Sequence, residues 1–208
     1  MREEIQILSR AVDDSERIAC VGASGCGKTS VIRELLNSRR SIRQRQVIFD
    51  PFQELPGFFC SSEASAVSAL SSGPFAKVRV GDAKIFSELV FLALEAKGCL
   101  VIADEAHLLL PGSGRVTPAS SAMLDLVTWG RHSKCPLIWA TQSPGRCSYS
   151  LTDNSTGARV VGNLSSPNSL SRIVDWDLDK KQVRALPRYE LLLSVPGSLV
   201  RAFRSKKM

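Results

Sequence analysis

Residues 22–29, Gly-Ala-Ser-Gly-Cys-Gly-Lys-Thr, constrain the fold of this chain more than any other stretch. They fit the pattern Gly-x-x-x-x-Gly-Lys-Ser/Thr of the phosphate-binding P-loop. Glycines let the backbone curl so that successive N–H groups point at an anion, and the following helix directs its positive end there. Residues 18–21 predict a buried strand before the loop, and an apolar helical stripe follows it at Val31, Ile32, Leu35 and Leu36. We therefore expect a strand–loop–helix unit that binds a nucleotide.

Each position of the loop has an expected role. Lys28 would reach the β- and γ-phosphates, and Thr29 would offer its hydroxyl to Mg²⁺. The expected cofactors are accordingly ATP and Mg²⁺. Cys26 is the one position that the sequence does not explain. The remaining phosphate-binding positions are Gly22, Ala23, Ser24, Gly25 and Gly27.

Composition places the chain among ordinary globular proteins. Its 208 residues, 44% hydrophobic and 23% charged, suit one domain spanning residues 1–208. The longest strongly apolar stretch, 89–94, is too short to span a bilayer, so we expect no transmembrane segment. The N-terminus shows no secretory signal, which favours a cytosolic location. Six scattered cysteines without a Cys-x-x-Cys pair, and only two histidines, predict no zinc site.

The net charge of +7 favours a polyanionic partner, although such an excess alone is weak support for nucleic acid binding. Basic residues crowd two places, and an ordinary solvated surface explains each cluster equally well. The first cluster is Arg33, Arg39, Arg40, Arg43 and Arg45; the second is Arg201, Arg204, Lys206 and Lys207.

Strand and helix patterns alternate through residue 142, which predicts an α/β fold with a mostly parallel central sheet flanked by helices. Strands are expected at 47–49, 77–80, 100–103, 136–140 and 159–162. Helices are expected near 5–12, 63–70, 86–94 and 123–130. Ser166-Pro167 predicts a further helix start, and Asp177 is expected to cap a helix through residue 186. Residues 189–195 and 199–204 predict a C-terminal β-hairpin.

Polar residues follow the predicted strands, where open parallel sheets bind ligands. Asp104 comes after four apolar residues, the Walker B pattern whose carboxylate holds the Mg²⁺ shell through water. Glu105 beside it is expected to polarise a water for attack on the γ-phosphate; the alternative is an acid that favours a helix start. Gln142 ends the next strand, where a γ-phosphate sensor belongs. Asp50 and Asp82 end the remaining two strands.

Two strands are expected between the P-loop and Asp104. An inserted strand between the Walker A and Walker B motifs is typical of ATPases of the additional-strand, catalytic-glutamate class. Together with Lys28, Asp104, Glu105 and Gln142 in the expected order, it predicts an ATPase with a single RecA-like P-loop NTPase domain.

The sequence resembles the FtsK–HerA superfamily of DNA-pumping ATPases. The stretches that carry the likeness are GASGCGKT (22–29), VIFDP (47–51), CLVIADEAHLLL (99–110), WGRHSKCPLIWATQSP (129–144) and LPRYELLLSVPG (186–197). The resemblance implies a homo-oligomeric ring in which Arg131 acts as an arginine finger in the neighbouring subunit's site. The alternative is that Arg131 is a surface residue at a helix end. Asp104-Glu105-Ala106-His107 also spells the DEAH helicase signature, which we interpret as coincidental, with His107 structural.

We expect the chain to contain little beyond the ATPase domain of these DNA-pumping proteins. In this respect it resembles the genome-packaging ATPases of tailless double-stranded DNA viruses with an internal membrane. This resemblance implies sequence-independent backbone contacts to double-stranded DNA, packaging into a preformed capsid, capsid or membrane vertex partners, and a location at the virion vertex and in host cytoplasm. Three alternatives stay open: a cellular or conjugative DNA translocase, a phage assembly and extrusion ATPase, and a non-motor nucleotide switch. The loop with Gly112, Gly114 and Arg115 is expected either to face the pore or to be an ordinary surface loop.

Overall fold

A computed structural model describes residues 2–38, 44–113, 117–198 and 200–205. The strands are β1 (Arg17–Val21), β2 (Gln46–Phe49), β3 (Phe58–Phe59), β4 (Lys77–Val80), β5 (Leu100–Ala103), β6 (Leu137–Thr141), β7 (Arg159–Val161), β8 (Glu190–Ser194) and β9 (Arg201–Arg204). The α-helices are α1 (Arg2–Asp13), α2 (Lys28–Ser38), α3 (Glu63–Ser71), α4 (Ala83–Ala96), α5 (Pro118–Trp129), α6 (Tyr149–Asp153), α7 (Pro167–Ser171) and α8 (Lys180–Ala185). Short 3₁₀ helices are found at Ala106–Leu108, Pro144–Arg146 and Val174–Trp176.

The strands of the described residues form a nine-stranded sheet in the order β3-β4-β2-β5-β6-β1-β7-β8-β9. The first seven strands of that order are parallel, and β8 and β9 add an antiparallel hairpin. The strand that separates β1 from β5 in space is β6, which follows both in the chain. The two strands expected between the P-loop and Asp104 are present as β2 and β4, but they lie on the far side of β5.

The sheet separates two hydrophobic cores, because alternate residues of each buried strand point to opposite faces. One core packs Ile18, Ile102 and Ile138 of the strands against α1 and α2. The other packs Ala19, Val101 and Trp139 against α4 and α5. All five residues of β1 and of β6 are buried, as expected for central parallel strands covered on both faces.

Most of the predicted elements are present within a few residues of the expected bounds. The exception is the last cap: Asp177 adopts a left-handed backbone conformation, and the side chain that caps α8 is Asp179, which accepts from the Lys181 N–H at 2.8 Å. The sequence analysis missed β3, α6 and the 3₁₀ turns, which are too short to show a period. Among the described residues, no helix has both the length and the hydropathy that crossing a membrane requires.

The described arginines of both basic clusters have protein partners. Arg33 donates to the Glu54 carbonyl, and Arg45 donates to the Gly73 carbonyl at 3.3 Å. Arg201 pairs with Glu3, and Arg204 donates to Glu190 Oε1 at 2.7 Å. These pairs favour the surface interpretation for the four arginines. The other members, Arg39, Arg40, Arg43, Lys206 and Lys207, lie outside the described residues.

Candidate functional site

The P-loop connects β1 to α2 at the carboxyl edge of the sheet. The Gly22 N–H donates to the Thr141 carbonyl at 3.3 Å, and the Ala23 N–H donates to the Asn163 carbonyl at 2.8 Å, so the loop is tied to β6 and to the segment after β7. Lys28 is the first residue of α2, and its Nζ donates to the Gly22 and Ala23 carbonyls at 2.8 and 3.0 Å. The lysine side chain is thus hydrogen-bonded back to the first two residues of its own loop.

Gly25 and Gly27 are glycines for identifiable reasons. Their φ angles of 68° and 107° lie in the region that L-residues avoid. A Cβ on Gly27 would also lie 2.0 Å from Ser205 Oγ, and one on Gly25 would lie 3.0 Å from the Arg188 guanidinium. The C-terminal hairpin therefore approaches the P-loop so closely that a side chain at Gly27 has no room.

Cys26, which the sequence did not explain, is a packing residue of the loop. Its side chain is 3% exposed and belongs to the core on the α1/α2 side of the sheet. A Cβ added at Gly22 or at Gly162 would lie 2.7 or 2.6 Å from its Sγ. The thiol therefore fills the space between the two glycines and joins the P-loop to the end of β7.

Asp104 follows β5 and is 5% exposed. Burial, followed by the negative charge of Glu105, raises the pKa of the Asp104 carboxyl from 3.8 to about 6. The neighbouring Asp50 charge raises this pKa further, whereas the Glu105 N–H and Lys28 lower it. Asp50, at the end of β2, is fully buried and accepts from the Leu55 N–H at 2.6 Å. The protein thus gathers more negative than positive charge here, an environment that favours a bound cation.

Glu105 has a left-handed backbone conformation (φ 50°, ψ 49°), which is uncommon outside glycine and clusters at functional sites. Its carboxylate is 5% exposed and accepts from Gln142 Nε2 at 2.6 Å on Oε1. On the other oxygen, Oε2, it lies 3.2 Å from His107 Nδ1, which is also 3.1 Å from Thr141 Oγ1. His107 and Gln142 therefore fix the orientation of Glu105.

The P-loop and the residues that follow β5 and β6 surround one cavity of about 250 Å³. The loop residues Lys28 and Thr29 line one side, and Asp104, Glu105 and Gln142 line the other. The geometry thus brings together the five side chains that the sequence placed at the ends of three strands. Asp82 is a different case, because its carboxylate caps α4 by accepting from the Lys84 and Ile85 N–H groups.

The same cavity has walls that the sequence analysis missed. Phe52 and Glu54 come from the loop after β2, and Glu54 Oε2 accepts from the Thr29 hydroxyl at 3.3 Å. Tyr189 comes from the start of the C-terminal hairpin, with a φ of 68°, and its ring lies 5.1 Å from the Arg188 guanidinium. Arg188 and Tyr189 fall within the stretch LPRYELLLSVPG that carries the family resemblance, which was the one available signal for them.

The oxygen donors in the cavity fit Mg²⁺ bound together with a nucleotide. Mg²⁺ typically takes one or two protein oxygens and completes its shell with phosphates and water. Thr29 and Asp104 supply a hydroxyl and a buried carboxylate of that kind. The described residues contain no cluster of three or more histidine, cysteine or acidic side chains that could hold a metal ion.

Arg131 lies at the opposite edge of the sheet. It precedes β6, whose first residue Leu137 is level with Arg17 at the start of β1, whereas the P-loop follows the far end of β1. Five strand residues separate the two edges, roughly 15 Å at about 3.3 Å per residue. Arg131 is 53% exposed and pairs with Glu16 at 3.1 Å. The structure therefore does not bring Arg131 to the P-loop of its own chain.

A family model matches residues 7–65, that of the type IV secretion-system coupling protein DNA-binding domain. No curated protein sequence matches the chain significantly. Among solved structures, the genome packaging NTPase B204 of Sulfolobus turreted icosahedral virus 2, in complex with sulfate, superposes with a TM-score of 0.73 at 19% identity, covering 92% of this chain and 97% of that one. The complex of B204 with ATP-gammaS superposes equally well, at 18% identity over 92% and 98% of the two chains.

The pCW3 conjugation coupling protein TcpA, solved with ATPgS, superposes with a TM-score of 0.67 at 13% identity over 93% of this chain and 61% of that one. These matches confirm the predicted fold class, a P-loop NTPase with a mostly parallel sheet and a C-terminal hairpin. The family model over residues 7–65 confirms the resemblance to coupling proteins of the FtsK–HerA type, whereas the solved structures, at 19% identity or less, show the fold.

Proposed function

We propose that this chain hydrolyses ATP and uses the reaction to move double-stranded DNA. The observation that carries the proposal is the hydrogen bond between Gln142 and the buried Glu105 in the cavity that the P-loop and Asp104 also line. A protein that only binds a nucleotide needs the P-loop and one metal-holding acid. A second, oriented acid beside that metal position is what hydrolysis requires.

Each residue has a role in the proposed reaction. Lys28 binds the β- and γ-phosphates, and the backbone of residues 22–27 surrounds them. Thr29 and Asp104 hold Mg²⁺, which when bound neutralises charge on the phosphates. Glu105 accepts a proton from the water that attacks the γ-phosphate, and Gln142 orients Glu105 and contacts the γ-phosphate. His107 acts through Glu105 as a positioning residue.

We further propose that the chain works as a homo-oligomeric ring in which Arg131 reaches the nucleotide of the next subunit. Its place at the edge away from its own P-loop, and its exposure, support a role outside its own site. An arginine supplied in trans stabilises the charge of the transition state and contributes about 10³–10⁵-fold to turnover. Hydrolysis then depends on assembly.

The biological process we propose is packaging of double-stranded viral DNA into a preformed capsid, with capsid or membrane proteins at the virion vertex as partners. The match to B204 over nearly the whole length of both chains supports it. Conjugative DNA transfer is the second candidate, because the family model and TcpA are both coupling proteins. The two processes use the same site chemistry.

The test measures ATP turnover of the full chain with and without long double-stranded DNA. We expect DNA to stimulate the wild type, and Glu105→Gln to lower stimulated turnover by about 10²–10⁴-fold while ATP binding persists. Glu95→Gln is the matched control, because it removes an exposed acid of α4 that is remote from the cavity residues. Full stimulated turnover in Glu105→Gln, or a wild type indifferent to DNA, would contradict the proposal.

A nuclease-protection assay addresses the packaging step. Co-assembly with purified empty capsids should render added duplex DNA nuclease-resistant only when ATP and active subunits are both present. Lys28→Ala subunits, which lack the phosphate-binding lysine, are the control. DNA-stimulated turnover without any protected DNA would favour the conjugative candidate.

A further inference from the structure

A second cavity, of about 260 Å³, lies beside the nucleotide cavity and shares Gln142 with it. It lies between the segments that follow β6 and β7, and Arg146 lines it. None of the described residues that line it is acidic. Its other polar side chains are Ser143, Asn163, Ser165, Ser166, Asn168 and Ser169. Phosphate oxygens are typically bound by hydroxyl and amide groups together with a cation, at sites without a carboxylate.

A second cation lies next to this cavity. Arg172 directly follows α7, and its guanidinium carbon lies 3.2 Å from the centre of the Tyr149 ring. Its Nη1 is buried and has no hydrogen-bond partner among the described residues. Tyr149 is 63% exposed and Arg172 is half-buried, so the stacked pair lies at the edge of the protein surface, whereas Nη1 itself is buried. An unsatisfied guanidinium N–H is costly unless an acceptor from outside completes it.

The loop after the Walker B acids is joined to the same place. The Gly112 N–H donates to the Arg146 carbonyl at 2.7 Å, and Pro111 forms a β-bridge with Cys147. A Cβ on Gly112 would lie 3.4 Å from Arg172 Nη2. Gly112 belongs to the loop that the sequence analysis considered as pore-facing; Gly114 and Arg115 of that loop lie outside the described residues.

We propose that Arg146, Arg172 and Tyr149 form a binding site for backbone phosphates of duplex DNA. The inference rests on the proposed function and adds the residues that contact the DNA. Arg and Tyr side chains are standard donors to DNA phosphates. Arg146 and Tyr149 are both exposed, and the Tyr149 ring stacks on Arg172, so these side chains are spread along a surface and do not close over a small anion. Gln142 connects the two cavities, and the short segment 142–149 runs from the γ-phosphate position to Tyr149. This segment thereby links ATP hydrolysis at Glu105 to the binding of DNA at Arg146, Arg172 and Tyr149.

The test measures binding of the full chain to a labelled duplex of mixed sequence, about 40 base pairs long, by fluorescence anisotropy at several salt concentrations. We expect Arg146→Gln/Arg172→Gln to lower affinity about tenfold or more and to reduce the slope of log K against log salt by about 1.8, since each lost phosphate contact removes about 0.9. The ratio of DNA-stimulated to DNA-free ATP turnover should fall with it. Lys77→Gln/Lys97→Gln is the matched control, because it removes two exposed charges at the amino edge of the sheet.

Three results would overturn the inference while leaving the proposed function in place: a double variant that binds DNA like the wild type, a control that loses as much affinity, or inorganic phosphate that abolishes the difference at matched ionic strength. The last result would assign the site to a free anion. If the wild type binds no duplex DNA, the proposed function fails as well. Should loss of the Arg172 stack impair folding, Arg146→Gln alone keeps the stack and should lower the salt slope by about 0.9.

Discussion

Gln142 donates its side-chain N–H to Glu105 at 2.6 Å, so a residue at the end of β6 holds the acid that follows β5. Gln142 is exposed in the cavity, whereas Glu105 is nearly buried and has a backbone conformation that leaves it little freedom. The strand order explains the pairing, because β5 and β6 are neighbours and the two residues leave the sheet side by side. In the mechanism that we propose, this one hydrogen bond orients Glu105 as the base, and the same amide contacts the γ-phosphate.

Removing this contact should affect turnover more than ATP binding. For Gln142→Ala we expect kcat to fall about 100-fold, since misplacing a catalytic group by about 1 Å costs that much, with KM for ATP within about threefold. Gln182→Ala on α8 is the matched control, because Gln182 is exposed and does not line the cavity. Steady-state ATPase kinetics provide the measurement. An unchanged kcat in Gln142→Ala would show that Glu105 needs no partner on β6.

Asp104 predicts a pH dependence of stability in the nucleotide-free protein. Burial raises the pKa of its carboxyl to about 6, so the ionised form is less favourable in the folded than in the unfolded chain. Between about pH 4 and 6 the folded protein therefore binds more protons, and the stability contribution of Asp104 falls as pH rises through that window. It is lowest above pH 6, where ionised Asp104 costs about 3 kcal/mol.

Asp104→Asn should remove this dependence. We expect the variant to be more stable than the wild type at pH 7.5, which is about 1.5 above that pKa, and to lose the advantage near pH 4. Urea unfolding in the presence of a chelator at several pH values gives the comparison. A constant difference between the two proteins across the range would mean that Asp104 titrates alike in both states.

The sequence was sufficient for the part of the site that strand ends bring together. Asp104, Glu105 and Gln142 come at the ends of apolar runs, and the P-loop that carries Lys28 follows another such run. Parallel strands bring their carboxyl ends to one edge of the sheet whatever their order. Tyr189 and Ser205 were missed because they meet the P-loop through the folding of the hairpin, across more than 160 residues of chain. No local pattern encodes such a contact.

The order of the strands in the sheet and the choice of the residue that caps α8 also depend on tertiary structure and not on local sequence. β2 and β4 lie between the Walker motifs in the chain, as predicted. Position in the sheet depends on how the connections cross over, and the strand that lies between β1 and β5 in the sheet is β6. Asp177 and Asp179 are equally good caps by residue type. Because Leu178 between them is buried, the chain turns at Asp177 and the helix begins after Asp179.

Arg131 allows a test of assembly by mixing subunits. Arg131→Ala should lower turnover about 10³-fold or more, and Lys28→Ala should be inactive, since it lacks the phosphate-binding lysine. Mixed together, the two should recover part of the wild-type ATPase, because Lys28→Ala subunits still present Arg131 to intact P-loops. A mixture no more active than the sum of the two separate activities would contradict a role in trans.

Glu16→Gln is the control for the ion pair that Arg131 forms within its own chain. The Arg131 side chain of that pair is 53% exposed and the Glu16 side chain 18%, and ion pairs open to solvent on one side contribute about 0–1 kcal/mol to stability. We therefore expect Glu16→Gln to retain turnover within about twofold and to need no complementing subunit. A loss equal to that of Arg131→Ala would assign the effect to local structure.

Because Cys26 packs between Gly22 and Gly162, we expect Gly162 to tolerate a side chain poorly. A Cβ there would lie 2.6 Å from Cys26 Sγ, so Gly162→Ala should lower the free energy of unfolding by about 1–3 kcal/mol and weaken ATP binding through the loop. Gly73→Ala is the control, because an added Cβ there meets no atom within 4 Å. Cys26→Ala removes the Sγ, and in combination with Gly162→Ala it should restore at least about 1 kcal/mol relative to additivity. Urea unfolding of the four proteins measures this coupling, and strictly additive effects would mean that the P-loop and β7 do not meet through this thiol.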